Sequence, residues 1–167
     1  MVPYPMPGHE AVARSPLPAR LASLGPIGGF PWVAGAAASA AALPPAWALA
    51  ALGGPALVLA GSLVLLGCAA WSIGQSDPDW DDTRCIVIDE AFGQTVALVP
   101  LFAFVKHAGP AWIAAAFVLF RVLIMARPWP LNRLRSLRPR WLGLLADDLL
   151  CGLAAGLVLA GAARLPG

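Results

Sequence analysis

Long apolar runs separated by short polar segments dominate the chain after a polar N-terminal stretch. The runs cover residues 33–52, 55–73, 95–105, 111–126 and 141–163. About 20 apolar residues in a helix cross the roughly 30 Å hydrocarbon core of a bilayer. The pattern therefore predicts an all-α fold, a small integral membrane bundle of about four to five hydrophobic helices.

Prolines leave the number of spans open by one. Pro44-Pro45 interrupts the first run, which predicts either one kinked span or a re-entrant piece followed by a short helix. Pro100 lies in the short third run. Residues 1–24 are Pro-rich and polar, which predicts a loosely ordered N-terminal tail. We therefore divide the chain into this tail and a single helical membrane domain over residues 25–167.

The composition excludes most soluble enzymes. Of 167 residues, 59% are hydrophobic and 12% are charged, against about 45–50% and about 25% in an average globular domain. The net charge of +2 implies no nucleic-acid partner. With five spans and a cytoplasmic N-terminus, all Lys and Arg residues except Lys106 and Arg164 fall on the inner side, as the positive-inside rule requires. The same assignment places the acidic segment 77–90 and Asp147-Asp148 at the cytoplasmic face.

Two pairs of acidic residues, Asp89-Glu90 and Asp147-Asp148, stand directly against apolar sequence. An ionised carboxylate at membrane depth costs at least about 2.5–3.5 kcal/mol, so both pairs need a partner such as a divalent metal or an arginine. One alternative is that they cap helices, since the helix dipole stabilises anions in a first turn by about 0.3–1 kcal/mol. Gly93 favours a functional role for the first pair, because glycine admits another backbone or a ligand.

The basic residues near these acids suggest phosphate chemistry. Arg121 interrupts an apolar run, and its guanidinium either holds a phosphate bidentately or pairs with one of the four acids. The basic loop 133–140 is typical of contact with anionic lipid head groups. Oxygen ligands without a His or Cys cluster favour Mg²⁺. His9 and His107 are the only histidines, and their predicted positions make a His-based phosphatase improbable.

Three motifs in order and in register resemble the phosphatidylglycerophosphatase A family. Residues 86–93 read I-V-I-D-E-A-F-G and are similar to the family's I-V-x-D-E-x-x-G. Residues 120–130 resemble F-R-x-x-D-x-x-K-P-W-P, and residues 143–148 resemble G-x-x-x-D-D. The resemblance implies an all-helical fold and Mg²⁺-dependent removal of the terminal phosphate from phosphatidylglycerophosphate. It also implies a place in the bacterial cytoplasmic (inner) membrane, with the site facing the cytoplasm.

The resemblance, combined with the charges above, leads to one hypothesis for the site. Four carboxylates are expected to converge at the cytoplasmic interface as catalytic residues and Mg²⁺ ligands: Asp89, Glu90, Asp147 and Asp148. Two arginines, Arg121 and Arg127, are expected to bind the substrate phosphate. The nucleophile, metal-bound water or a carboxylate, and the oligomeric state are left open.

Departures from the family pattern keep other functions open. Ile124 replaces the Asp that follows F-R, and Arg127 replaces Lys. The family's P-G-T-x-G-S element is reduced to A-G-A-A-A-S over residues 34–39. These losses motivate an alternative, a catalytically impaired phosphatase-like membrane protein that binds anionic lipid or a partner. A third alternative, a small transporter or proton-relay subunit, predicts carboxylates at mid-membrane.

Overall fold

The computed structural model describes residues 17–30, 33–75, 86–105, 108–126, 134 and 137–164, and its regular structure is entirely helical there. A 3-10 helix, Gly25–Gly29, follows the first of five α-helices. The α-helices are α1 (Leu17–Ala22), α2 (Ala34–Gly74), α3 (Ile88–Phe104), α4 (Pro110–Ala126) and α5 (Arg140–Ala162). The predicted all-α fold is confirmed for this part of the chain.

Helix α2 consists of two arms, residues 34–52 and 55–74, that fold back on each other at Gly53-Gly54. Gly54 has φ +66° and ψ −160°, a conformation that glycine adopts readily and other residues rarely do. The helix continues through Pro44-Pro45, so the interruption predicted there is wrong, whereas the gap between the predicted runs 33–52 and 55–73 coincides with the observed reversal. Neighbouring segments can compensate for the hydrogen bonds that proline removes in an apolar bundle, whereas a reversal of direction needs the glycine conformation.

Helix α3 is the centre of the bundle, because α2, α4 and α5 all pack against it. Twelve of its 17 residues are buried. Leu98 and Leu101, near its C-terminal end, share a core cluster with Ala46 and Val58 from the two arms of α2. The third apolar run is therefore not a separate short segment. It is the second half of a helix that begins at Ile88 and includes Asp89-Glu90.

Small residues bring the backbones of α3 and α5 into contact. A Cβ atom added at Gly93 would lie 2.8 Å from the Asp148 carbonyl oxygen. A Cβ at Gly152 would meet the Gly93 carbonyl, and one at Gly156 would meet the Ala97 carbonyl. The contacts advance in the same direction along both helices, so α3 and α5 run parallel. Small residues at such an interface are typical of helix pairs in membranes.

This packing predicts that Gly152→Ala destabilises the protein. The added methyl group meets backbone atoms of α3, which cannot rotate away, and overpacking of this kind costs about 1–3 kcal/mol. Thermal unfolding in detergent should show a lower Tm. Gly161→Ala in the same helix is the matched control, because nothing lies within 4 Å of its added Cβ. Equal Tm values for the two variants would contradict the tight α3–α5 contact.

The outer surface of the bundle is apolar. By length and composition, α2 and α5 are able to cross a membrane, and α4 is a shorter apolar helix. Large apolar side chains are exposed on these helices, among them Leu63, Val64, Val122, Met125 and Val158. Many exposed large apolar side chains of this kind are typical of contact with lipid. The fold is that of a membrane-associated helical protein.

The described part of the predicted N-terminal tail, residues 17–24, packs against the bundle. Helix α1 buries Ala19 and Ala22, and the Val87 N–H donates a hydrogen bond of 2.9 Å to the Ala22 carbonyl oxygen. The packed structure therefore begins before the boundary predicted at residue 25. Residues 1–16 of the predicted tail lie outside the described residues.

Candidate active site

One end of the bundle holds both acidic pairs. Asp89 and Glu90 lie in the first turn of α3. Asp147 and Asp148 lie about two turns into α5. The backbone of α5 at Asp148 packs against Gly93, which lies about one turn after Asp89-Glu90 in α3. The parallel packing of α3 and α5 therefore places both pairs in the same part of the bundle, although they are far apart in the chain.

Three of the four carboxylates are almost completely buried. Asp89 is 3% exposed, and both Asp147 and Asp148 are 0% exposed. The capping alternative is wrong for Asp147-Asp148, because α5 begins at Arg140 and has no acidic residue in its first turn. Asp89 does lie in a first turn, where its Oδ1 accepts a hydrogen bond of 3.0 Å from the Glu90 N–H. Acidic side chains buried among apolar helices are functional candidates by default.

Glu90 forms an ion pair with Arg121 of α4, between Glu90 Oε2 and an Arg121 guanidinium nitrogen. Both side chains are 21% exposed, so the pair lies at the edge of the bundle. The predicted alternative of an ion pair for Arg121 is confirmed. The remaining guanidinium nitrogens give Arg121 further donors for an anion, since an arginine carries five N–H groups in a planar fork.

Gly35, near the start of α2, provides the space for this ion pair. A Cβ atom added there would collide with both carboxylate oxygens of Glu90. Gly35 is one of the residues that the reduced 34–39 element keeps from the family pattern. Although this element has lost other residues of the family pattern, the glycine that it keeps is the one that packs against Glu90.

We expect Gly35→Ala to impair activity by displacing the Glu90 carboxylate from Arg121. The collision is with the flexible end of a side chain, so the free energy of unfolding should change by less than the roughly 1–3 kcal/mol of a rigid clash. The catalytic rate and Tm are the measurements. Gly67→Ala, whose Cβ meets nothing within 4 Å, is the control in the same helix. Unchanged kinetics in Gly35→Ala would contradict the role of this contact.

A second polar layer lies one turn deeper in the bundle. Gln94 follows Glu90 by one turn of α3, and Ser39 follows Gly35 by one turn of α2. Both side chains are fully buried, and the Gln94 amide and the Ser39 hydroxyl have no hydrogen-bond partner among the described residues. Gln94 was not among the predicted site residues. Its spacing of four residues from Glu90 was the available signal, because residues i and i+4 share a helix face.

Ile124, which replaces a family aspartate, is a core residue. It is 4% exposed and packs in one cluster with Phe120 and Cys151. The Cys151 thiol in turn lies 3.8 Å from Asp147 Oδ1. The apolar substitution therefore sits close to the buried acidic residues of α5 and removes a carboxylate from their surroundings.

The predicted metal ligands have the donor chemistry that Mg²⁺ prefers, because all are carboxylate oxygens. Within the described ranges, however, no three His, Cys, Asp or Glu side chains are close enough together to hold a metal ion. The Mg²⁺ site stays a prediction. The predicted phosphate ligand Arg127 lies outside the described residues, as do the acids at 77, 79, 81 and 82.

These features define a class of protein: a membrane-associated helical bundle with three buried aspartates and a Glu–Arg ion pair toward one end. The family model described as Phosphatidylglycerophosphatase A matches residues 20–163. The chain belongs to the phosphatidylglycerophosphatase A family, and its class is that of a phosphoric monoester hydrolase of lipid metabolism.

Two curated relatives agree with this membership. Phosphatidylglycerophosphatase A of Escherichia coli (strain K12) is 30% identical over 166 residues, which cover 92% of this chain and 91% of the relative. Phosphatidylglycerophosphatase A of Haemophilus influenzae is 29% identical over 103 residues, which cover 62% of this chain and 61% of the relative. No solved structure matches the chain significantly.

Proposed function

We propose that this protein hydrolyses the terminal phosphomonoester of phosphatidylglycerophosphate to phosphatidylglycerol and inorganic phosphate, and that it requires Mg²⁺. The observation that carries the proposal is the position of both acidic pairs, Asp89-Glu90 and Asp147-Asp148, in the part of the bundle that also holds the Glu90–Arg121 ion pair. The names of both curated relatives describe this activity.

In the proposed mechanism, Arg121 binds oxygens of the terminal phosphate through the N–H groups that Glu90 does not use. Glu90 fixes the orientation of the Arg121 guanidinium through the ion pair, and the packing of Gly35 against the Glu90 carboxylate restricts the position of that carboxylate. One or two carboxylates from among Asp89, Asp147 and Asp148, together with oxygens of the substrate phosphate, would hold Mg²⁺, which when bound would neutralise phosphate charge and polarise the P–O bond. Stabilising charge where it develops is the main contribution expected of such a site.

The site is proposed to face the cytoplasm at the inner leaflet of the bacterial cytoplasmic membrane. The distribution of basic residues supports this orientation. A phospholipid precursor made at the inner leaflet would meet the site there without crossing the bilayer.

Phosphate release from a panel of lipid phosphates, measured with purified protein, tests the proposed function. We expect release from phosphatidylglycerophosphate in the presence of Mg²⁺, its loss on addition of a chelator, and its recovery when Mg²⁺ is restored. Absence of release from this lipid at saturating Mg²⁺ would overturn the proposed reaction. Release that persists in chelator would overturn the metal requirement alone.

A second candidate function, an impaired phosphatase-like protein that binds anionic lipid, is motivated by the buried Ile124. If the missing carboxylate limits activity, Ile124→Asp should raise phosphate release about tenfold, the effect of roughly 1.4 kcal/mol on the barrier. Ile124→Asn is the matched control, because it introduces a polar group of the same shape without charge. Wild-type protein that binds the lipid without turnover, with Ile124→Asp active, would establish the second function.

A further inference from the structure

A cavity of about 580 Å³ lies between the two arms of α2, beside α1 and the 3-10 helix. The first arm contributes Ala41 and Pro45, the second arm contributes Gly61, and α3 contributes Thr95. Arg20 of α1 also borders the cavity and is exposed. Apart from Arg20 and Thr95, the described side chains that line it are apolar. Many of the lining residues are Ala or Gly, and their small side chains leave the cavity unfilled.

The cavity starts next to the candidate active site. Ala38 lines it and follows Gly35 by one helical turn, and Ala91 lines it and directly follows Glu90. From Ala38 the lining extends along the first arm to Leu49, a length of about 16 Å at roughly 1.5 Å per residue. The cavity is therefore elongated and runs from the level of the Glu90–Arg121 pair toward the interior of the bundle.

We propose that this cavity binds one acyl chain of the lipid substrate, with Arg20 facing the anionic diester phosphate of the same lipid. The inference rests on the proposed function, which supplies a diacyl lipid at the adjacent site. The volume of the cavity is in the range of about 300–1,000 Å³ found for ligand sites. Apolar cavities do not hold water well, so a hydrocarbon chain suits these walls. The positive charge of Arg20 favours a lipid with a net negative charge over a zwitterionic one, in which a head-group cation balances the charge of the diester phosphate.

Kinetics with long-chain and short-chain substrates test this assignment. Ala41→Trp fills the cavity from an exposed position on its wall, so the fold is expected to be retained. We expect it to raise KM for dipalmitoyl phosphatidylglycerophosphate about tenfold, and to leave hydrolysis of the dihexanoyl lipid unchanged. Ala48→Trp, exposed on the same arm but outside the cavity, should change neither. Equal KM values for wild type and Ala41→Trp with the long-chain lipid would overturn the proposal.

Photo-crosslinking separates the acyl-chain site from the reaction. A phosphatidylglycerol with a diazirine at the end of one acyl chain should label wild-type protein within residues 38–49. Unlabelled phosphatidylglycerol should compete for this labelling, phosphatidylcholine should not, and Ala41→Trp should lose it. If wild type releases no phosphate but is labelled in this way, the proposed reaction fails and the acyl-chain site stands. Absence of labelling, as expected if residues 1–16 or a second copy fill the cavity, would overturn the site.

Discussion

Asp89→Asn and Asp147→Asn should each reduce phosphate release by at least about 100-fold, the effect of removing one essential charge-stabilising group from an active site. Asparagine keeps the size of the side chain and removes the negative charge, so the change addresses chemistry and not packing. Both aspartates are buried at the end of the bundle that also holds Arg121. The measurement is initial rate against Mg²⁺ concentration with phosphatidylglycerophosphate. The half-saturating Mg²⁺ concentration should rise in both variants.

Ser62→Ala is a suitable control for these two variants. Ser62 is a buried polar residue in the second arm of α2, and its hydroxyl donates a hydrogen bond of 2.9 Å to the Val58 carbonyl. Its replacement tests the general effect of altering a buried polar group, and we expect near-normal activity. Near-normal phosphate release in both aspartate variants, with Tm values close to wild type, would contradict the carboxylate site.

Arg121→Gln should also lose activity by about 100-fold, because it removes a positive charge that is proposed to bind the substrate phosphate. Arg121→Lys retains the charge but not the planar fork, so it should recover only part of the rate. Kinetics with phosphatidylglycerophosphate, together with Tm, are the measurements. The loss of the ion pair should lower Tm in Arg121→Gln, because Glu90 is then left without its cation.

A double variant distinguishes phosphate binding from a purely structural role for Arg121. In Glu90→Gln/Arg121→Gln both charges of the ion pair are removed, so the stability lost in Arg121→Gln should be largely recovered. If Arg121 binds phosphate, the activity of the double variant stays low although the fold is restored. Recovery of activity together with Tm would show that Arg121 acts only as the partner of Glu90.

The apolar runs predicted the helical fold because burial in lipid requires long apolar segments and hydrogen-bonded backbones. They did not predict the helix boundaries. The run at 95–105 excluded Asp89-Glu90 and Gln94, although the helix that contains it begins at Ile88. Polar residues can adopt helical backbone angles, so they do not end a helix. They do end an apolar run, and the run is therefore shorter than the helix that contains it. The gap between the predicted runs 33–52 and 55–73 coincides with the reversal at Gly53-Gly54, whereas Pro44-Pro45 suggested an additional break where the helix continues.

The composition of the candidate site was easier to predict than its contacts. The acidic pairs and Arg121 stand out in the sequence because charges are rare in apolar runs. The contact between Gly35 and Glu90 joins residues far apart in the chain, and no periodicity reports such a contact. The cavity beside it depends on how the two arms of α2 diverge from Gly53-Gly54, which is a property of tertiary packing.

The glycine contacts between α3 and α5 have a consequence for motion. Because the backbones touch at Gly93, Gly152 and Gly156, these two helices can neither approach nor rotate independently without collision. We therefore expect the two helices to move together, which limits changes in the separation of the two acidic pairs that they carry. A lipid that reaches the acids must then enter beside these two helices and not between them.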